Sequence, residues 1–155
     1  MNYLPKGYHN VSPYLRMRNA STAIDFYKNV FAATELSRMT MPDGKVGHAE
    51  LMIGDSLIML SDEFPEMGVK GPETLAGTTV GMLLYVENVD EVVAKASAAG
   101  AKIVNPVTDQ FYGDRSGKIV DPYGHEWMIA THIEDVSPEE MKIREAAFYK
   151  QMGGA

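Results

Sequence analysis

Two stretches decide the fold: VSPYLRMRNASTAIDFYKNVF, from Val11 to Phe31, and VGMLLYVENVDEVVAKASAAG, from Val80 to Gly100. Each begins with alternating apolar residues, reaches an asparagine (Asn19, Asn88), and continues with apolar residues at helical spacing. In the first, Ile24, Tyr27 and Phe31 fall on one helical face; in the second, Val89, Val92, Val93 and Ala96 do. A change of period from two to 3.6 residues reads as a strand followed by an amphipathic helix. Gly100 stands where a helix C-cap would.

The parallel continues downstream. The first helix is followed by TELSRMTM, VGHAELMIG and SLIMLSD, separated by the turn signals PDG and GD. The second is followed by KIVNPV, a segment around RSGKIV, and HEWMIATH, the last two separated by DPYG. Both halves read β-α-β-β-β. Asn19 and Asn88 are 69 residues apart, and so are Met59 and Met128. The sequence therefore predicts an α+β chain of two tandem modules forming one domain over 1–136. Module one covers about 10–62, a Gly- and Pro-rich linker 63–78, and module two about 79–134. A terminal helix and tail occupy 137–155, with Ser137 and Glu140 as a capping box and Pro138 at the first helical position. Met141, Phe148 and Met152 of that helix would pack on the body or on a second subunit.

Composition narrows the function. The chain has 155 residues, 45% hydrophobic, enough for a substantial core. A net charge of −7 argues against nucleic acid, whose phosphates need clustered Lys and Arg. With no cysteine there is no disulfide, thiol nucleophile or thiolate metal site. No run reaches membrane-spanning length, and the N-terminus lacks the apolar core of a signal peptide, so the expectation is a cytoplasmic protein without a membrane partner.

The phrases SPYLRM, AIDFYKNVF, GHAELMIGDSLIMLSDE, QFYGDRSG and DPYGHEWMIATH, within the tandem pattern, resemble the vicinal oxygen chelate superfamily and its PhnB-like branch. That group includes glyoxalases, bleomycin- and fosfomycin-resistance proteins and extradiol dioxygenases. The resemblance implies an open, curved mixed sheet, a half-barrel with helices on the convex side and a ligand cavity on the concave side, and commonly a homodimer. It also implies a glycine where this chain has Ala32. In the superfamily's metal enzymes four ligands come from the first and last strands of each module. Carried over by register, these positions are Ser12, Met59, Gly81 and Met128. Thioether is a soft donor, glycine offers no side chain, and a lone hydroxyl binds weakly. The expectation is accordingly no metal and no cofactor, a divalent ion entering only under an alternative reading with displaced ligands.

Strand parity maps the expected cavity. Val11, Pro13, Leu15 and Met17 would face the helix, leaving Ser12, Tyr14 and Arg16 opposite. Ala49, Leu51 and Ile53 would likewise leave His48, Glu50 and Met52 opposite. The same rule adds Met59, Ser61, Leu83, Tyr85, Glu126 and Met128 to the inner face. His48 and Glu50 form its compact polar group, readable as a general base with its orienting carboxylate, as displaced metal ligands, as ligand contacts, or as polar filling. Parity sends His125 and His132 to opposite faces, and puts Glu126 and His132 about 20 Å apart along their strand, so DPYGHEWMIATH makes no metal site alone. In QFYGDRSG, read as a stretch between strands, Tyr112 offers a stacking face and Arg115 a fork for an anion, unless Asp114 and Arg115 only shape the loop. Arg16 and Arg18 read as anion receivers or as partners of acidic residues. The eleven methionines suit either a plastic pocket or core filling.

Two functions follow. One is a metal-independent binding protein that holds a small organic molecule against Ser12, Tyr14, Arg16, Met52, Met59, Tyr85, Tyr112, Arg115, Glu126 and Met128. The other is a lyase or isomerase with His48 and Glu50 as catalytic residues.

Overall fold

The computed structural model describes residues 3–153; residues 1–2 and 154–155, at the ends of the expected domain and tail, lie outside them. The elements are β1 (Tyr14–Met17), α1 (Ala20–Phe31), β2 (Thr34–Thr40), β3 (Val46–Ile53), β4 (Ser56–Asp62), a 3-10 turn (Pro65–Met67), α2 (Pro72–Leu75), β5 (Gly81–Tyr85), α3 (Val89–Ala98), β6 (Lys102–Asp109), β7 (Asp114–Val120), β8 (Glu126–His132) and α4 (Pro138–Gly153). They make two open four-stranded mixed sheets, β1-β4-β3-β2 and β5-β8-β7-β6. This is the α+β, tandem β-α-β-β-β arrangement the sequence predicts.

Register repeats as well as order. Tyr14 pairs with Met59 in the parallel β1–β4 ladder, and Leu83 pairs with Met128 in β5–β8. Each member of the second pair lies 69 residues beyond its counterpart. The chain divides into two compact units, one built on residues up to Thr79 together with Asp121–His125, the other on Val80–Val120 and the chain from Glu126 onward.

In the first unit α1 buries Ala20, Ala23, Ile24, Tyr27 and Phe31. Leu15, Met17, Ala49, Leu51, Ile53 and Leu60 are buried in the same core. Fully burying a Leu or Ile stabilises by roughly 1.5–3 kcal/mol. Asn19 is left-handed at φ 55° and its side chain caps nothing. Asp62, at the end of β4, accepts from the Ala20 N–H at 2.9 Å and from the Val46 N–H at 2.7 Å instead. Ala32 closes the helix at φ 53°, the left-handed position where glycine costs least. In the second unit Asn88 does cap, accepting from the Glu91 N–H at 3.2 Å. There Trp127, Ile129 and Ile119 are buried with Val89, Val93 and Ala96 of α3.

Several local expectations change. β1 starts at Tyr14, so Ser12 precedes it and Val11 is 86% exposed rather than covered by the helix. Pro13 has no N–H to give a ladder. The Glu63–Thr78 stretch contains the 3-10 turn and α2, and begins with buried Glu63. β6 reaches Asp109 and β7 opens at Asp114, leaving only 110–113 of the expected loop between strands. Ser137 accepts from the Glu140 N–H as a helix cap, but Glu140 holds Arg144 rather than completing the box. Phe148 of α4 stacks on Phe111, ring centroids 4.9 Å apart, while Met152 stays 64% exposed.

Candidate functional site

The face of the first sheet opposite α1 carries one connected polar row. Cross-strand pairing sets Tyr14 beside Met59, Met59 beside Glu50, and Arg16 beside Ser61. These residues alternate with the buried Leu15, Leu51 and Leu60, so parity alone directs them to the other side. The Tyr14 hydroxyl reaches His48 Nδ1 at 2.7 Å. His48 Nε2 lies 3.3 Å from Glu50 Oε1, and the Tyr8 hydroxyl donates to the same oxygen at 2.6 Å. When Tyr14 donates to Nδ1, the neutral imidazole carries its proton on Nε2, toward Glu50. The Tyr8 hydrogen bond, with that of His48 behind it, holds the Glu50 carboxyl below its usual range against the opposing effect of burial. Tyr8, in turn, is raised by Glu50.

His48 is therefore not a free base, since both ring nitrogens have partners. Tyr14, 43% exposed, is the accessible end of the row. Arg16 stands over the Tyr14 ring, 5.7 Å from its centroid. Met52 and Met59 are half-buried on the same face. Tyr14, Arg16, His48, Glu50, Met52 and Met59 thus come together; Ser12, half-buried ahead of β1, is outside the paired lattice.

The second unit has its own open face. Leu83, Tyr85 and Met128 are exposed there, and Glu126 is half-buried beside Lys118. Tyr112, Met128, Gln110, Ser116, Asn105 and Thr108 line a groove of ≈ 500 Å³. At its border Tyr85 donates to Asp114 Oδ2 at 2.6 Å, while His132 Nδ1 lies 2.8 Å from Asp114 Oδ1 and Nε2 lies 2.9 Å from Asp135. Asp114 is 6% exposed; burial pushes its carboxyl up, but the hydrogen bonds of Tyr85 and His132 prevail and keep it low. Asp114, followed by Asp135, raises His132.

Arg115 is corrected, and Arg18 takes the second of its two readings. Arg115 pairs across the ladder with Thr131, on the Trp127 side of the sheet, away from Tyr85 and Met128. Its guanidinium is held by Asp90 at 2.8 Å and Asp109 at 2.8 Å, not by Asp114. Arg115 belongs to the helix-covered face because β7 already runs through it, which fixes its parity. Arg18 is an internal partner, its Nε 2.7 Å from Glu63 Oε1.

A divalent metal, which the fold implies, does not fit the positions that would hold it. Met59 and Met128 offer thioethers beside Tyr14 and Leu83, Gly81 offers nothing, and Ser12 lies before its strand. Among the described residues no three His, Asp or Glu side chains converge on one point. Nor is any helix there long and apolar enough to cross a membrane.

A family model described as Glyoxalase/Bleomycin resistance protein/Dioxygenase superfamily matches residues 9–129. The chain belongs to this superfamily. An uncharacterized protein of Mycobacterium tuberculosis is 42% identical over 135 residues, covering 85% of this chain and 79% of its own. The X-ray structure of an Arabidopsis thaliana gene product superimposes with a TM-score of 0.64 at 28% identity, covering 79% of this chain and 98% of that one. A PhnB protein from Bacillus cereus shares the fold at TM-score 0.63 and 18% identity, over 79% of this chain and 99% of its own.

One site residue and one pairing of this superfamily member escape the sequence. Tyr8 lies 42 residues from its partner Glu50, in a segment without periodicity. Asp114 and His132 are each legible, but only the β7–β8 register, which pairs them directly, shows that they meet.

Proposed function

We propose that this superfamily member binds a small organic molecule without a metal, on the open faces of its sheets. The observation that carries the proposal is the face opposite α1, where an accessible aromatic ring, two methionines and an anchored polar row lie together. Methionine side chains adapt to varied apolar shapes, and Tyr14 with Arg16 supplies orientation. The ≈ 500 Å³ groove beside Tyr112 and Met128 supports the same reading by its size alone, its lining being mostly polar. The acidic composition and the superfamily resemblance support a cytoplasmic homodimer, which belongs to the proposal.

A second reading is favoured by one observation. The Tyr14–His48–Glu50 chain of hydrogen bonds resembles an acid–base relay, which would make the protein a lyase or isomerase of the superfamily. Under both readings a ligand reaches Tyr14. The experiment is ligand-observed NMR with a library of small aromatic and aliphatic fragments on wild type and Met59→Trp. Hits on wild type that Met59→Trp loses, with its fold intact by circular dichroism, are the expected result. A library without a single hit on wild type overturns the proposal.

A further inference from the structure

Among the described residues Arg16 is the arginine without a carboxylate. Arg18 holds Glu63 at 2.7 Å, Arg38 holds Glu35 at 2.8 Å, Arg115 holds Asp90 at 2.8 Å and Arg144 holds Glu134 at 2.7 Å. Among the described residues Arg16 makes no ion pair, although the chain carries 21 Asp and Glu against 14 Lys and Arg. Its backbone is fixed: the carbonyl accepts from His125 Nε2 at 3.0 Å, and Gly71 packs so close that an added Cβ would lie 2.9 Å from it. A guanidinium presents a planar fork that suits a carboxylate.

We infer that this face receives a small organic carboxylate on Arg16 and the Tyr14 hydroxyl. The inference rests on the ligand-binding reading above and names the ligand's chemistry. The Tyr14 hydroxyl oxygen is anchored 2.7 Å from His48 Nδ1, and the imidazole tautomer decides which of the two donates. With the imidazole proton on Nδ1, the Tyr14 hydroxyl is left to donate to the carboxylate. No covalent bond changes. The apolar body of the ligand lies on the Tyr14 ring and on Met52 and Met59.

The test is isothermal titration of the intact chain with benzoate, which stays ionised from pH 6 to pH 8, and with benzamide, its uncharged isostere. Benzoate is expected to bind with a dissociation constant on the order of millimolar. Arg16→Gln should abolish binding. His48→Gln should leave weaker binding, because it removes the anchor of the Tyr14 hydroxyl. Arg38→Gln, which removes the same charge on the helix-covered side, should change nothing. If benzamide binds and benzoate does not, the carboxylate inference falls and the ligand-binding reading stands; if neither binds, both fall. Equal loss in Arg16→Gln and Arg38→Gln overturns the site.

Discussion

Glu63 is a carboxylate held almost wholly by donors, and replacing it by glutamine has a calculable effect. Oε2 accepts from the Gly71 N–H at 2.9 Å; Oε1 accepts from Arg18 Nε at 2.7 Å and from the Thr74 hydroxyl at 2.8 Å. The Gly71 hydrogen bond, then those of Thr74 and Arg18, lower the carboxyl from 4.5 to about 2. At about 1.4 kcal/mol per pH unit this displacement corresponds to roughly 3 kcal/mol. Arg18 is 53% exposed, so solvent screening reduces the share that appears as stability to about 2 kcal/mol. In Glu63→Gln one amide N–H must face a donor, whichever way the amide turns, which gives a similar cost of about 1–3 kcal/mol. The folded carboxyl sits below its unfolded value, so its contribution is present above pH 4.5 and is lost as pH falls through about 2. Urea unfolding of both proteins at pH 7 and pH 2.5 measures this. A deficit of about 2 kcal/mol at pH 7 that shrinks by half or more at pH 2.5 is expected. A deficit independent of pH, or one under about 0.5 kcal/mol at pH 7, would refute the reasoning.

Two further changes probe particular sites. Ala32→Gly should raise stability by about 0.5–1 kcal/mol in the same assay, because Ala32 sits at φ 53° where a Cβ is strained. His132, raised by Asp114 and then by Asp135, contributes stability that is fully present below pH 6.5 and lost as pH rises through its folded value. Wild type should therefore lose more thermal stability than His132→Gln between pH 6 and pH 8.5.

The repeat made the fold legible. The spacing of Asn19 from Asn88 and of Met59 from Met128 predicts two equal modules, and the parallel ladders reproduce the spacing pair by pair. Alternation placed Tyr14, Arg16, His48, Glu50, Met52 and Met59 on one face because each strand has one apolar side to bury. Arg115 escaped that logic. Arg115 lies where the polar QFYGDRSG and the strand segment around RSGKIV overlap, so the sequence alone leaves its parity open, and cross-strand pairing with Thr131 fixes it. Asp62 and Glu63 were unreadable for another reason. Both serve backbone N–H groups brought to them by chain folding, Ala20 and Val46 for one and Gly71 for the other, and nothing local to a carboxylate reveals such donors. The same holds for Tyr8, which completes the His48–Glu50 row from outside any strand.

The most direct test of metal-independent binding is elemental analysis of protein purified without chelator, beside a His48→Ala variant. Manganese, iron, nickel and zinc well below stoichiometric in both samples is the result predicted by the unsuited donors at Ser12, Met59, Gly81 and Met128. Near-stoichiometric metal in the wild type that disappears in His48→Ala would contradict it and place a relocated metal centre on the open face of the first sheet.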